Sequence, residues 1–108
     1  MEEETGFVAV LDESELPAGT MKAVSVVDTP VLLVKLGGKI FAVDDRCPHM
    51  QCRLSHGKLD GMFVVCPCHD WRFNLETGEY EDEPAFKLTF FEWKNEAGKI
   101  YVKAEEEW

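Results

Sequence analysis

Two short runs, Cys47-Pro48-His49 and Cys66-Pro67-Cys68-His69, constrain this chain more than any other feature. They read Cys-x-His, sixteen intervening residues, then Cys-x-x-His. Any fold that puts these donors to use must bring two separated segments to one point. Pro48 and Pro67 fix φ and stiffen both segments, and neither has an N–H to donate. Each segment is a finger with one thiolate and one imidazole, so Cys47, His49, Cys66 and His69 form a four-ligand metal site with a mixed donor set.

That mixture narrows the metal. Structural zinc also takes two cysteines and two histidines, but spaces them Cys-x₂₋₄-Cys, then His-x₃₋₅-His. Here each half pairs a cysteine with a histidine. The pairing suits a two-iron cluster with one iron on sulfur and the other on nitrogen. A structural zinc-binding interaction module is the alternative from a different class. His56 has no cysteine at ligand spacing and reads as an exposed loop residue.

Composition bounds the rest. At 108 residues the chain is one domain, and a metal or a disulfide would help so small a core. The net charge of −10 argues against nucleic acid and against an anionic membrane surface. It suits a redox partner with a basic docking face, and equally plain solubility. No apolar run reaches the roughly eighteen residues of a membrane span. The acidic start, Met1-Glu2-Glu3-Glu4, does not resemble a targeting segment, so a cytoplasmic, monomeric protein is expected. Glu105-Glu106-Glu107 reads as a solvated end. Four cysteines are too few for a disulfide scaffold, and beside histidines they are more often ligands.

The pattern along the chain is all-β. Strands are predicted over 6–11, 21–27, 31–36 and 39–43, with Gly37-Gly38 as a two-residue hairpin turn. Residues 44–79 are dense in Cys, His, Pro and Gly. Short strands at 58–59 and 62–65 flank an Asp60-Gly61 turn, and Phe73 to Leu75 pairs with Glu79-Tyr80. Strands return over 86–93 and 99–103. This spacing means an antiparallel sandwich or barrel, with the middle segment inserted and organised by a metal. Phe7, Phe41, Phe63, Phe86, Phe90 and Trp93 are core candidates by pattern.

The two ligand boxes resemble those of Rieske [2Fe–2S] proteins. Leu54-Ser55 and Gly57 look like that family's Leu-Ser-x-Gly stretch. His69-Asp70-Trp71-Arg72-Phe73-Asn74, then Thr77-Gly78, look like its His-Gly-Trp-x-Phe-Asp…Thr-Gly stretch. Asp70 replaces the usual glycine and Asn74 the usual aspartate. Pro84 falls where the family places a third loop near the cluster. The resemblance implies an antiparallel β-sandwich base (1–43 and 81–108) with a small inserted cluster-binding subdomain (44–80). It implies one [2Fe–2S] cluster, with Cys47 and Cys66 on one iron and His49 and His69 on the other.

Cys52 and Cys68 match cysteines that form a disulfide in high-potential members, which implies a bridge between the fingers; two reduced thiols are the alternative. Those members also carry a serine and a tyrosine where Trp71 and Phe73 stand here. Without those hydroxyls a potential in the lower half of the Rieske range is expected. Pro84, Trp71 and Met50 shape the cluster rim or simply pack. The implied role is a soluble, non-catalytic carrier of single electrons from a reductase to a terminal acceptor, as the ferredoxin of an oxygenase system. A small subunit of an assimilatory nitrite reductase is the near alternative, and thiol exchange at Cys52 and Cys68 a distant one.

Overall fold

The computed structural model describes residues 7–26, 29–47, 52–68, 70–83 and 85–103. Among the described residues there are nine strands: β1 (Val8–Asp12), β2 (Thr20–Val26), β3 (Thr29–Leu36), β4 (Lys39–Asp44), β5 (Lys58–Asp60), β6 (Phe63–Val65), β7 (Arg72–Asn74), β8 (Glu92–Glu96) and β9 (Lys99–Lys103). They form three three-stranded sheets, ordered β1-β9-β8, β2-β3-β4 and β5-β6-β7, and every strand pair is antiparallel. Among the described residues the only helical segments are two single 3-10 turns, Glu13–Glu15 and Leu54–His56.

β3 explains the layering. Val31, Leu32, Leu33 and Val34 are all fully buried. Successive strand residues face opposite sides, so an unbroken apolar run requires cover on both. Val31 and Leu33 pack in one cluster with Leu11, Val26, Ile100 and Val102. Leu32 and Val34 pack in another with Val43, Leu54, Val64 and Phe73. The middle sheet is therefore shared. One face closes the sandwich with β1-β9-β8, and the other carries the small β5-β6-β7 sheet.

The β3–β4 hairpin turns at Gly37-Gly38, with Leu36 opposite Lys39, as expected. The β5–β6 turn lies one residue later than the sequence suggests. Asp60 pairs with Phe63, and Gly61-Met62 makes the turn, with Gly61 at φ +60°. That conformation suits the residue without a Cβ.

The expected strand over 86–93 is not formed; β8 begins at Glu92. Backbone groups in this stretch go to partners in different parts of the fold. Leu88 N–H donates to Gly78 O at 2.7 Å, Asp44 N–H to Thr89 O at 2.9 Å and Phe91 N–H to Ala42 O at 2.8 Å. The segment stitches the middle sheet to the loop after β7 instead of joining one ladder. Its aromatics correct a second expectation: Phe86, Phe90 and Trp93 are 40%, 43% and 37% exposed. Phe90 lies over Gly78, where a Cβ would come within 2.6 Å of the ring. Trp93 is on the edge strand of its sheet. Phe7, Phe41 and Phe63 are only half-buried. The core is aliphatic, and Phe73 is the one fully buried aromatic among the described residues.

Leu32→Ala and Leu33→Ala should each cost about 2–5 kcal/mol in chemical unfolding. Their local signatures should differ in amide hydrogen exchange. Leu33→Ala should lower protection in β1 and β9, and Leu32→Ala in β6 and β7, if the middle sheet serves both cores.

Candidate metal centre

Both fingers are hairpin loops, and each carries a cysteine at its base. In the first, Arg46 pairs with Arg53 in an antiparallel bridge, and Cys47 N–H donates to Cys52 O at 2.8 Å. In the second, Val65 pairs with Arg72, and Cys66 N–H donates to Trp71 O at 2.8 Å. Asp70 N–H closes the tip onto Cys66 O at 3.0 Å. Asp70 has φ +58°, which explains why a glycine would suit this position. Aspartate is among the few other residues that tolerate the left-handed region. Asn74 is equally well matched: its side-chain oxygen accepts from Glu76 N–H at 2.8 Å, as an aspartate oxygen would.

The 3-10 turn that follows the first finger meets the second finger at Gly57. A Cβ there would overlap the Val65 carbonyl and lie 3.2 Å from the Pro67 ring. The first finger is anchored below by Asp45, which is fully buried. Ser55 donates to it twice, from N–H to Oδ1 and from Oγ to Oδ2, both at 2.7 Å. Asp45 O accepts from Leu54 N–H at 2.8 Å, and Asp45 N–H donates to Pro30 O at 3.0 Å. Arg46 forks onto the neighbouring Asp44, with Nε to Oδ1 at 2.9 Å and Nη2 to Oδ2 at 2.8 Å. The sequence gives no warning of the Asp45 anchor, because a buried aspartate and an exposed one look alike in an acidic chain.

Cys47 and Cys66 are fully buried, lie outside the disulfide and belong to the same apolar cluster. Two soft thiolate donors at the inner ends of adjoining hairpins fit one iron of a [2Fe–2S] group. His49 and His69, the expected imidazole donors, lie outside the described residues, as do Pro48, Met50 and Pro84. Cys52 and Cys68 are joined by a disulfide, with Cα atoms 6.5 Å apart, so the bridge expected between the fingers is present. His56 is exposed, as expected.

An aromatic wall backs the second finger. Trp71 stacks on Tyr80 with ring centres 3.7 Å apart, and Phe86 meets Trp71 edge-on at 5.3 Å. The Tyr80–Phe86 loop is closed by Tyr80 N–H to Phe86 O at 2.9 Å. Residues 70–83 hold six acids and one base, Arg72. Arg72 lies over the Phe63 ring at 4.7 Å. Its Nη1 reaches Asp60 Oδ2 at 2.5 Å, and its Nε reaches Glu81 Oε1 at 2.9 Å. The hydrogen bond from Arg72, followed by its charge, holds the Asp60 carboxyl below the usual carboxylate range. Burial, and then the charge of Asp82, push the Tyr80 hydroxyl up.

The Rieske [2Fe-2S] domain model matches residues 6–92. Human apoptosis-inducing factor 3 is 39% identical over 97 residues, 89% of this chain but 16% of that protein. Ferredoxin CarAc of Metapseudomonas resinovorans is 33% identical over 101 residues, 92% of this chain and 94% of the relative. Among solved structures, a complex of reduced oxygenase and oxidized ferredoxin in carbazole 1,9a-dioxygenase contains a chain similar to this one. The match has a TM-score of 0.84 and 31% identity, and covers 97% of this chain and 99% of that one.

Two outcomes are expected from this geometry. A thiol assay on the unfolded, unreduced and metal-stripped chain should count two thiols, Cys47 and Cys66; four would refute the bridge. The Arg72–Asp60 pair sets a pH dependence. A lowered folded-state pKa contributes stability above the unfolded value of about 3.9, and loses it as pH falls through the folded value. Arg72→Met should return Asp60 to an ordinary titration by NMR. The stability gap between wild type and variant should narrow below about pH 4.

Proposed function

Because the chain belongs to the Rieske [2Fe–2S] domain family, we propose that it is an electron carrier, the ferredoxin component of an oxygenase-type system. The reading rests above all on the buried Cys47/Cys66 pair at the bases of two touching hairpins. Cys47 and Cys66 would hold one iron, and His49 and His69 the other. When bound, the group supplies a one-electron couple on a centre partly ligated by neutral imidazole. Residues 44–80 form the cluster-holding part of a single domain, and the base 1–43 and 81–108 supports it. Ferredoxin CarAc matches this chain over 94% of its own length, which supports the carrier reading.

The chain's own residues bind, exclude water and present charge; no substrate chemistry is assigned to them. Trp71, Phe73, Tyr80 and Phe86 exclude solvent behind the second finger. Glu81, Asp82 and Glu83 are exposed beside it and suit a basic face on a reductase or an oxygenase. Among the described residues no helix is long and apolar enough to cross a membrane. We place the carrier in the cytoplasm, as a monomer.

The test is direct. Purified protein should be brown, with two irons and two acid-labile sulfides per chain. His49→Ala or Cys66→Ser should abolish the colour. Redox titration near pH 7 should give a midpoint in the lower half of the Rieske span of about −150 to +300 mV. A colourless zinc protein would end this reading, and a midpoint well above zero would end the account given for Trp71 and Phe73.

A further inference from the structure

Three sulfurs converge beside the proposed ligand pair, and only one of them belongs to it. The Sγ atoms of Cys52, Cys66 and Cys68 all lie within 4.8 Å of one another. In the bridged chain two of the three are consumed by the disulfide. A two-electron reductant of the dithiol or phosphine class would break that S–S bond. Each sulfur would then take one proton, and three thiols would stand together.

The backbone keeps them together without the bridge. Cys52 is held by the Cys47 N–H at 2.8 Å, below the Arg46–Arg53 pair. Cys66 is held on both sides, by Trp71 O at 2.8 Å and Asp70 N–H at 3.0 Å. Cys68 lies within the turn which that last bond closes. Contact at Gly57 fixes the turn that follows the first hairpin against the second hairpin. Three thiolates on one tetrahedral ion, at about 2.3 Å each, sit about 3.8 Å apart. The widest separation is at most about 1 Å beyond that spacing, and the two bridged sulfurs must part by about 2 Å once their bond is broken, changes that side-chain rotation can supply. Burial also suits entry: Cys66 is buried, Cys52 half-buried and Cys68 exposed.

We infer that breaking the Cys52–Cys68 bridge opens a three-thiolate site, Cys52, Cys66 and Cys68, for a soft divalent ion of the zinc class. In the cluster-free chain binding exchanges three thiol protons for one such ion. In the loaded chain it would exchange the two protons of Cys52 and Cys68, take Cys66 from iron and release the iron and sulfide to solution. In both cases the fourth position is open to water on the Cys68 side. Cys66 is common to this site and to the proposed cluster set, so the two occupants exclude each other. The bridge thereby guards the iron site, by withholding two of the three thiolates that would draw a thiophilic ion onto Cys66. This goes beyond the electron-carrier reading and relies on it only for the competition.

The experiment uses the brown, full-length protein, with cadmium chloride at one equivalent as the probe and a phosphine as reductant. Cluster colour and the ultraviolet thiolate-to-cadmium band, whose intensity scales with bound thiolates, are read together. Bridged protein should keep its colour and show no band. Reduced protein should take one cadmium with three thiolates and bleach. Cys52→Ser leaves two thiols of the three and should bind at least about tenfold more weakly, losing at least as much as outer-sphere changes cost. His49→Ala should leave the band of the reduced chain unchanged. Equal uptake with and without reductant would overturn the inference. So would Cys52→Ser binding as tightly as reduced wild type, or a band that falls in His49→Ala. If the chain proves colourless, or reductant alone bleaches it, the thiolate count still decides the site, independently of the carrier reading.

Discussion

The carboxylate of Asp45 is the interaction on which the site depends. A buried carboxylate is tolerated only when hydrogen bonds replace its water, and leaving one unpaired costs several kcal/mol. Ser55 supplies both side-chain bonds, and Pro30 and Leu54 take the backbone groups. Three parts of the chain are tied at one residue: the start of β3, the first finger and the 3-10 turn that follows it. Cys47 is two residues away, so the anchor fixes where the first sulfur enters the core. Gly57 ends the same 3-10 turn and admits the second hairpin with no Cβ between them. Position therefore passes from Asp45 to Ser55 to Gly57 to Val65, next to Cys66.

The bridge repeats this constraint covalently. Cys47 and Cys66 are themselves members of the second core. A domain of this size gains from a staple. Cys52 and Cys68 are 16 residues apart, and closing a loop of that length stabilises by about 3 kcal/mol in the chain-entropy view. The staple joins the base of one finger to the tip of the other.

Much of this was legible in the sequence, for reasons that differ by element. β3 and β4 declare themselves through an apolar run and a Gly-Gly turn, both local signals. β9 alternates over 99–103, and the structure has that strand. The bridge was legible through the resemblance to high-potential Rieske proteins, which supplied the pairing of Cys52 with Cys68. The stretch 86–91 was not. Its alternation reads as a strand, but its hydrogen bonds are divided between Ala42–Asp44 and Gly78–Tyr80, and no local pattern encodes a divided ladder. The aromatics misled for a related reason. Phe86 and Phe90 cover loops at the periphery, while the sheets are close enough that Val, Leu and Ile fill the space between them. Asp70 and Asn74 look like departures from a motif, yet each meets the backbone requirement of its position.

Charge and potential are best assigned to different groups. Residues 70–83 are strongly acidic, but Glu81, Asp82 and Glu83 are exposed. At physiological salt their fields fall away over about 8 Å. On the proposed reading they act on the approach of a basic partner, an effect that weakens as salt rises. Groups that exclude water act differently, because a low local dielectric preserves their influence. Phe73 is fully buried and Trp71 is stacked on Tyr80, and neither side chain has a hydroxyl to offer a cluster sulfur. The buried Asp45 carboxylate lies on the same side of the screening boundary. A carrier built this way can change its surface charge to suit a partner with little effect on the energy of its electron. On the proposed ligand set, the buried residues around the two cysteines then fix that energy.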